Sequence, residues 1–242
     1  MILYLKSKKH KEEKMFHSIE IYILLFFTYA ILGWLMEVGC KLVETKKFIN
    51  RGFLIGPYCP IYGWGAIIIT LLLNKYLADP IALFIMAIVI CSIIEYATSY
   101  FMEKIYHARW WDYSRRKYNI NGRICLETMI PFGILGVLIM YFTNPFFTGI
   151  YEKIPENALT VICSFLVIVF LIDNIISSHI ISTIKVEGIK AEKDNTKEIT
   201  EKVKQILQSK SFLHKRLINA FPDIKNIRGK LKLKIEEKRR ND

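Results

Sequence analysis

Acidic side chains interrupt long apolar stretches of this chain. Glu37, Glu95, Glu103 and Asp173 lie within such stretches, and Glu127 stands at the start of another. If the stretches cross a membrane, each charge costs at least about 2.5 kcal/mol at the bilayer centre and usually faces a partner or a cavity. These acids are therefore candidates for binding an ion, a proton or a polar solute.

Two apolar segments carry their polar residues along one face. Ser92, Glu95, Ser99 and Glu103 are spaced by three and four residues, which aligns them on one side of a helix. This polar stripe is expected to face inward. On the earlier segment, Gly33 precedes Glu37 and would let another helix approach closely. We therefore expect a polar cleft between the two segments.

Positive partners for these acids lie in the adjoining polar loops. Arg51, Arg109 and Arg123 are candidates, and Asp112 follows Arg109 within the same loop. Arginine and carboxylate form bidentate pairs. Such pairs could merely hold helices together, or they could belong to an ion, proton or substrate site. Both arrangements perturb the pKa values of their members in similar ways. The sequence leaves these two interpretations open.

The elements that must position these residues are membrane-spanning helices. A bilayer core about 30 Å thick needs about 20 apolar residues in a helix, whose backbone satisfies its own hydrogen bonds. The segments of sufficient length and apolarity predict an all-α polytopic membrane protein with about five spans. They cover residues 19–43, 56–77, 80–105, 126–142 and 158–184.

Charge is segregated along the chain although 52% of its 242 residues are hydrophobic and its net charge is +12. We divide it into a basic N-terminal segment (1–18), a transmembrane domain (19–184) and a basic soluble tail (185–242). The tail has seventeen Lys or Arg against nine Asp or Glu. Its apolar spacing predicts amphipathic helices that bind anionic lipid, and nucleic acid is the less favoured partner.

Loop charges predict the orientation of the spans. With five spans, the first loop, the third loop and the start of the tail share one side and carry fifteen Lys or Arg, against seven on the other side. The positive-inside rule then places the tail in the cytoplasm of a bacterial cell, although the N-terminal lysines oppose this. The first span lacks a cleavage site and is expected to remain as an anchor.

The sequence contains few known catalytic motifs. It has no GxxxxGK[ST] phosphate loop, no HExxH and no Asp-rich metal motif. The five cysteines show no CxxC spacing, which favours free thiols over a zinc site or disulfides. We therefore expect no cofactor, and any ATP hydrolysis would require a separate ATPase subunit.

Aromatic and proline residues mark the ends of the spans. Trp110, Trp111 and the nearby tyrosines are expected at the headgroup level, where amphipathic rings concentrate. Pro57 and Pro60 interrupt helical hydrogen bonding at the predicted start of the second span. This pattern predicts either a broken, re-entrant entry or a simple turn followed by a late helix start.

A short internal similarity suggests two tandem helical hairpins followed by one further helix. Asn50 precedes Pro60 by ten residues, as Asn121 precedes Pro131. Transporters often place their binding site between such repeats. Because the identities are few, chance remains the alternative explanation.

Several longer motifs resemble a known family of bacterial membrane proteins, the putative type IV ABC-transporter family. They occupy residues 32–37, 50–63, 95–100 and 109–126, and the resemblance covers about residues 20–180. It implies a permease-like component, and it supplies no established substrate or catalytic residues. Five spans would also suggest assembly with a second membrane subunit or a second copy.

The leading hypothesis is a permease-like component that handles a small polar or ionic solute. The candidate substrate-binding cleft contains Glu37, Arg51, Glu95, Ser99, Glu103, Arg109, Asp112, Arg123 and Glu127. One alternative is an intramembrane enzyme acting on a lipid or isoprenoid head group, with the acids as general bases and the arginines holding phosphate. Another is a structural anchor whose tail recruits partners.

Overall fold

The computed structural model describes the backbone of residues 2–50, 52–106 and 110–193, and side chains within 17–50, 52–106 and 110–180. Two predicted partners of the acids, Arg51 and Arg109, lie outside this part of the chain. Most of the predicted amphipathic tail does as well. The chain divides into two compact units, which are described separately below.

The described chain is almost entirely helical, as predicted for an all-α membrane protein. Its long helices are α1 (Ile2–Thr45), α2 (Pro60–Leu73), α3 (Pro80–Tyr106), α4 (Leu126–Leu138), α5 (Asn144–Tyr151) and α6 (Glu156–Lys193). A 3₁₀ turn, Asn74–Tyr76, extends α2, and a π-helical turn, Ile139–Thr143, joins α4 to α5. The two short strands, β1 (Asn119–Ile120) and β2 (Ile124–Cys125), pair antiparallel.

Four helical segments in the described part are long and apolar enough to cross a membrane. They are His17–Thr45, Pro80–Tyr106, Leu126–Tyr151 and Glu156–Ile180. The second predicted span (56–77) is shorter than expected, because α2 has 14 residues and extends for about 21 Å. α1 continues without a break from the lysine-rich N-terminal segment into its span.

The short α2 begins late because Pro60 occupies its first turn, where the missing proline N–H costs nothing. Immediately before it, the backbone N–H of Cys59 donates to the carbonyl oxygen of Ala30 at 2.8 Å. Ala30 lies near the midpoint of the α1 span, so α2 starts well inside the span rather than at its end. The late helix start is thus observed, and the broken, re-entrant entry stays a prediction.

The first unit comprises Met1–Leu35, Tyr58–Ile94 and Leu126–Ile172. Its helices approach closely at glycines: a Cβ added to Gly63 would lie 2.6 Å from the carbonyl oxygen of Phe26. At Gly33, an added Cβ would lie 2.2 Å from the ring of Tyr62. The predicted role of Gly33 in close helix packing is thus confirmed.

A buried hydrogen-bond network also links helices of the first unit. The Tyr29 hydroxyl donates to Asn144 Oδ1 at 2.8 Å, and Asn144 Nδ2 donates to Thr70 Oγ1 at 2.6 Å. Thr143, the last residue of the π-helical turn, lies 2.8 Å from the same tyrosine hydroxyl. Polar groups from α1, α2 and the α4–α5 segment therefore satisfy one another inside this unit.

The second unit comprises Met36–Pro57, Glu95–Cys125 and the described residues from Asp173 onward. It has an aromatic core in which the Trp110 ring centroid lies 5.3 Å from that of Phe53 and 6.4 Å from that of Tyr106. Trp110 is only 6% exposed and packs with Ile180. Neighbouring aromatic rings therefore bury Trp110 inside this unit, and the headgroup level predicted for it stays a prediction.

The two helical hairpins of the predicted repeat differ in structure. Pro60 opens α2, whereas Pro131 lies inside α4. A β-hairpin precedes α4, while residues 52–59, the described stretch directly before α2, contain neither a helix nor a strand. The tandem duplication remains a prediction from sequence.

Candidate functional site

The polar stripe of α3 faces the interior, as the residue spacing predicted. Ser92, Glu95 and Ser99 are buried, with exposed fractions of 6%, 6% and 3%, and Glu103 is half-buried. Glu95, Ser99 and Glu103 belong to the second unit and lie on three successive turns. They form the acidic side of the candidate site.

A tight turn in the following loop positions the basic side of the site. Asn121 and Gly122 have φ angles of 53° and 67°, and the N–H of Arg123 donates to the carbonyl oxygen of Ile120 at 3.0 Å. Positive φ at both central residues is typical of a type I′ turn, for which Asn-Gly is the preferred sequence. This turn connects β1 to β2 and fixes the position of Arg123.

Arg123 forms the centre of the cluster and is only 9% exposed. Its Nη1 lies 3.0 Å from Glu103 Oε2 and donates to Ser99 Oγ at 3.2 Å. The guanidinium also lies 5.7 Å from the ring centroid of Tyr96 and 5.5 Å from that of Tyr100. The ion pair, the hydrogen bond and two cation–π contacts together compensate the burial of this charge.

Tyr113 joins the loop to the second acid of α3. Its hydroxyl donates to Glu95 Oε1 at 3.1 Å, and its backbone N–H donates to the carbonyl oxygen of Gly122 at 2.8 Å. Burial raises the pKa of the Tyr113 phenol well above its usual range, and the charge of Glu95 and, more weakly, that of Glu37 raise it further. Tyr113 therefore remains a neutral hydrogen-bond donor at physiological pH.

Further side chains hold the hairpin against α3 and around Arg123. Asn121 Nδ2 donates to the Tyr96 hydroxyl at 2.9 Å, and Trp111 Nε1 donates to the carbonyl oxygen of Arg123 at 3.0 Å. The sequence pattern predicts a headgroup-level position for Trp111 and assigns Tyr113 no role in binding. The Asn-Gly turn was the available signal, because it indicates a hairpin that returns toward the preceding helix.

The remaining predicted site residues have different environments. Asp112 is exposed and its carboxylate accepts hydrogen bonds from the backbone N–H and the hydroxyl of Ser114, which is a local turn contact. Glu127 is exposed and belongs to the first unit. Glu37 is half-buried in the second unit and influences Tyr113 electrostatically. The structure thus brings Glu95, Ser99, Glu103 and Arg123 together.

Asp173 holds the non-helical segment that precedes α2. Its Oδ1 accepts the N–H of Ile55 at 2.9 Å, and its Oδ2 accepts the N–H of Gly56 at 2.8 Å. The Ser177 hydroxyl adds a third donor at 2.8 Å. Asp173 is 8% exposed, so this carboxylate satisfies backbone amides that have no helical partners.

The cluster provides carboxylates, an arginine and a neutral phenol within one apolar framework. Glu103 forms an ion pair with Arg123, and Glu95 accepts a hydrogen bond from Tyr113. Within the described side chains, no three His, Cys, Asp or Glu residues come together as a metal site, and all five cysteines are free thiols. The arrangement can bind a proton, a cation or a polar group, since each of these would stabilise a buried carboxylate.

Comparison with known proteins identifies one family. Residues 24–178 match the family profile described as "Putative ABC-transporter type IV". The match includes α2, α3, α4 and α5, and it also covers the β-hairpin and Asp173. No curated protein and no solved structure matches the chain.

Proposed function

This chain belongs to the type IV ABC-transporter family, which makes it a membrane-embedded, transporter-like component; we propose that it is the permease-like subunit for a small polar or ionic solute. The proposal places solute or proton binding at the cluster of Glu95, Glu103, Arg123 and Tyr113, with Glu37 nearby. Family membership establishes the general class of protein. The chemistry of the cluster supports the class of solute.

The observation that carries this proposal is the hydrogen bond between Glu95 and Tyr113. A buried carboxylate within an apolar span is costly, and such residues commonly mark ion or substrate pathways. Glu95 is such a residue: it is 6% exposed, and it accepts a hydrogen bond from the neutral Tyr113 phenol. A solute with a positive charge or a hydrogen-bond donor would bind best at such a carboxylate.

The non-helical segment before α2 gives independent support. Irregular backbone at membrane depth is tolerated where protein buries it or where it lines a water-filled cavity. In many transporters, interrupted helices of this kind lie beside the substrate site. Here Asp173 satisfies the amides of Ile55 and Gly56, which allows an irregular segment to persist among apolar helices.

The proposal requires a partner that hydrolyses ATP, because the sequence contains no phosphate loop. A separate ATPase subunit would dock on the cytoplasmic loops, and a second copy or another membrane subunit would complete the pathway. We further propose the bacterial cell membrane as the location, with the C-terminal tail in the cytoplasm. This orientation rests on the larger number of positive charges on the tail side.

Purification in mild detergent from the native membrane, followed by mass spectrometry of the bound components, tests the proposal. We expect an ATPase at a fixed stoichiometry. ATP hydrolysis by that complex should fall at least about tenfold in Glu95→Gln, which removes the charge but keeps an acceptor for Tyr113. Glu44→Gln, at an exposed acid of the same unit, is the matched control and should leave hydrolysis unchanged.

Either of two results would contradict the proposal. If the chain purifies without any ATPase and carries a bound lipid or isoprenoid, an intramembrane enzyme becomes the better explanation. If Glu95→Gln leaves hydrolysis intact while lowering the amount of folded protein, the cluster stabilises the helices and does not bind solute.

A further inference from the structure

We propose that the tip of the loop between α3 and α4 binds the anionic headgroups of membrane phospholipids. The surface consists of Arg115, Arg116 and Lys117, with Tyr118 and Ile120 beside them, and is called the basic tip below. This inference does not depend on transport, because it concerns a surface separate from the buried cluster.

The cations of the basic tip are presented together on a fixed backbone. All three are exposed. The N–H of Arg116 donates to the carbonyl oxygen of Tyr113 at 2.8 Å, and Asn119 Nδ2 donates to the carbonyl oxygen of Arg116 at 2.7 Å. These bonds close a compact turn, so the three charges need little ordering when they meet an anion.

Apolar side chains accompany the cations. Tyr118 is 82% exposed and Ile120 is 54% exposed. Tyr118 also has a φ of 51°, a left-handed conformation that is uncommon for an aromatic residue. An aromatic ring beside lysine and arginine is the combination typical of the membrane–water interface.

The depth of the hairpin follows from the opposite face of α3. Phe101 and Ile105 on its last turns are 57% and 61% exposed, which suits contact with lipid chains near the membrane surface. On the same turns, Ser99 and Glu103 contact Arg123 of the hairpin. The hairpin therefore packs against the inward face of α3 at the level where the opposite face suits contact with lipid chains near the membrane surface, and its basic tip reaches the level of the headgroups.

Phosphate chemistry fits this surface better than a neutral partner. Arginine and lysine pair with phosphate oxygens, and each cation near an anionic bilayer strengthens binding about fivefold. The neighbouring apolar residues explain why the partner is a lipid and not a soluble anion, because Tyr118 and Ile120 would gain from entering the interface.

The test compares lipid binding by two full-length variants that lose equal charge. Arg115→Gln/Lys117→Gln removes two cations from the basic tip, and Lys75→Gln/Lys153→Gln removes two exposed cations elsewhere. Both variants keep the basic tail. Each detergent-purified protein is titrated with phosphatidylglycerol or phosphatidylcholine, and native mass spectrometry measures retained lipid.

We expect the tip variant to retain phosphatidylglycerol at least about fivefold more weakly than the control variant, with no change for phosphatidylcholine. Tyr118→Ser, which removes the ring but keeps every cation, should weaken retention of both lipids. Equal retention by the two charge variants would overturn the proposal. So would loss of a co-purified protein subunit from the tip variant while phosphatidylglycerol retention stays normal, since the tip would then dock protein.

Discussion

The Tyr113 hydroxyl lies 3.1 Å from Glu95 Oε1 and donates a hydrogen bond to it, which joins a loop residue to an acid within the α3 span. The phenol and Glu95 are both largely shielded from solvent, so the bond forms where water competes poorly. It thereby links the conformation of the hairpin to the charge of the buried acid.

Tyr113→Phe should lower stability by about 1 kcal/mol at neutral pH, because one buried hydrogen bond is lost. Burial and the charge of Glu95 raise the pKa of Tyr113 above its ordinary value of 10.0 in the folded protein. Its contribution is therefore fully present below pH 10 and is lost as the pH rises toward the folded-state pKa. Stability of the wild type should fall more steeply above pH 10 than that of the variant.

SDS titration of the detergent-solubilised protein between pH 7 and pH 11 measures this difference. Tyr118→Phe is the matched control, since that hydroxyl belongs to a side chain that is 82% exposed. Parallel stability curves for wild type and Tyr113→Phe above pH 10 would show that Tyr113 is not shielded as described.

Arg123 and Glu103 should show strong energetic coupling. Arg123→Gln is expected to cost about 2 to 3 kcal/mol, because a buried charge-assisted bond to Glu103 is lost. Glu103→Gln breaks the same bond, so the double variant should be less destabilised than the sum of the single variants by about 1 kcal/mol or more.

A double-mutant cycle, measured by the same SDS titration, gives this coupling directly. Lys41 and Glu44 of the second unit form an ion pair in which the carboxylate is more exposed than that of Glu103. The same double-mutant cycle on this pair is the control. Their coupling should stay below about 1 kcal/mol. Additive effects at Arg123 and Glu103 would mean that the guanidinium is held mainly by the two tyrosine rings.

Gly122→Ala should destabilise the hairpin by about 1 to 2 kcal/mol, because alanine is strained at a φ of 67°. Gly149→Ala, in α5, meets nothing within 4 Å and should stabilise the protein by up to about 1 kcal/mol. Thermal unfolding of the two variants therefore shifts in opposite directions. A stabilised Gly122→Ala variant would rule out the positive-φ turn that positions Arg123.

Asp173→Asn should release the segment before α2, because an amide has only one oxygen to accept the two backbone N–H groups of Ile55 and Gly56. Hydrogen exchange of these amides, followed by mass spectrometry, should accelerate at least about tenfold. Ser177→Ala removes only the third donor and should leave the exchange nearly unchanged. Unaltered exchange in Asp173→Asn would show that other groups hold the segment.

Apolar length and the spacing of polar residues were sufficient to predict the helices and the inward face of α3. The Ser92, Glu95 and Ser99 spacing determines that these side chains share one face, and the cost of exposing them to lipid determines that they turn inward. Burial of all three confirms that argument. It depends only on local geometry, which the sequence contains.

The partners of those residues could not be derived in the same way. Three arginines in the loops were equally good candidates, and only the positive-φ turn at Asn121 and Gly122 places Arg123 beside Glu103. Trp110 illustrates the same limit, since its packing in an aromatic core with Phe53 and Tyr106 could not be derived from the sequence.

By itself, the sequence determined that this protein is a helical membrane protein with acids facing its interior, because hydrophobic length and helical periodicity are local properties of the chain. Tertiary structure alone decided that Tyr113 donates to Glu95, that Arg123 pairs with Glu103 and that Asp173 holds the segment before α2. Those contacts join residues from 18 to 118 positions apart. They depend on how the loops pack back against the helices, which is determined by the packing and hydrogen bonding of the whole unit.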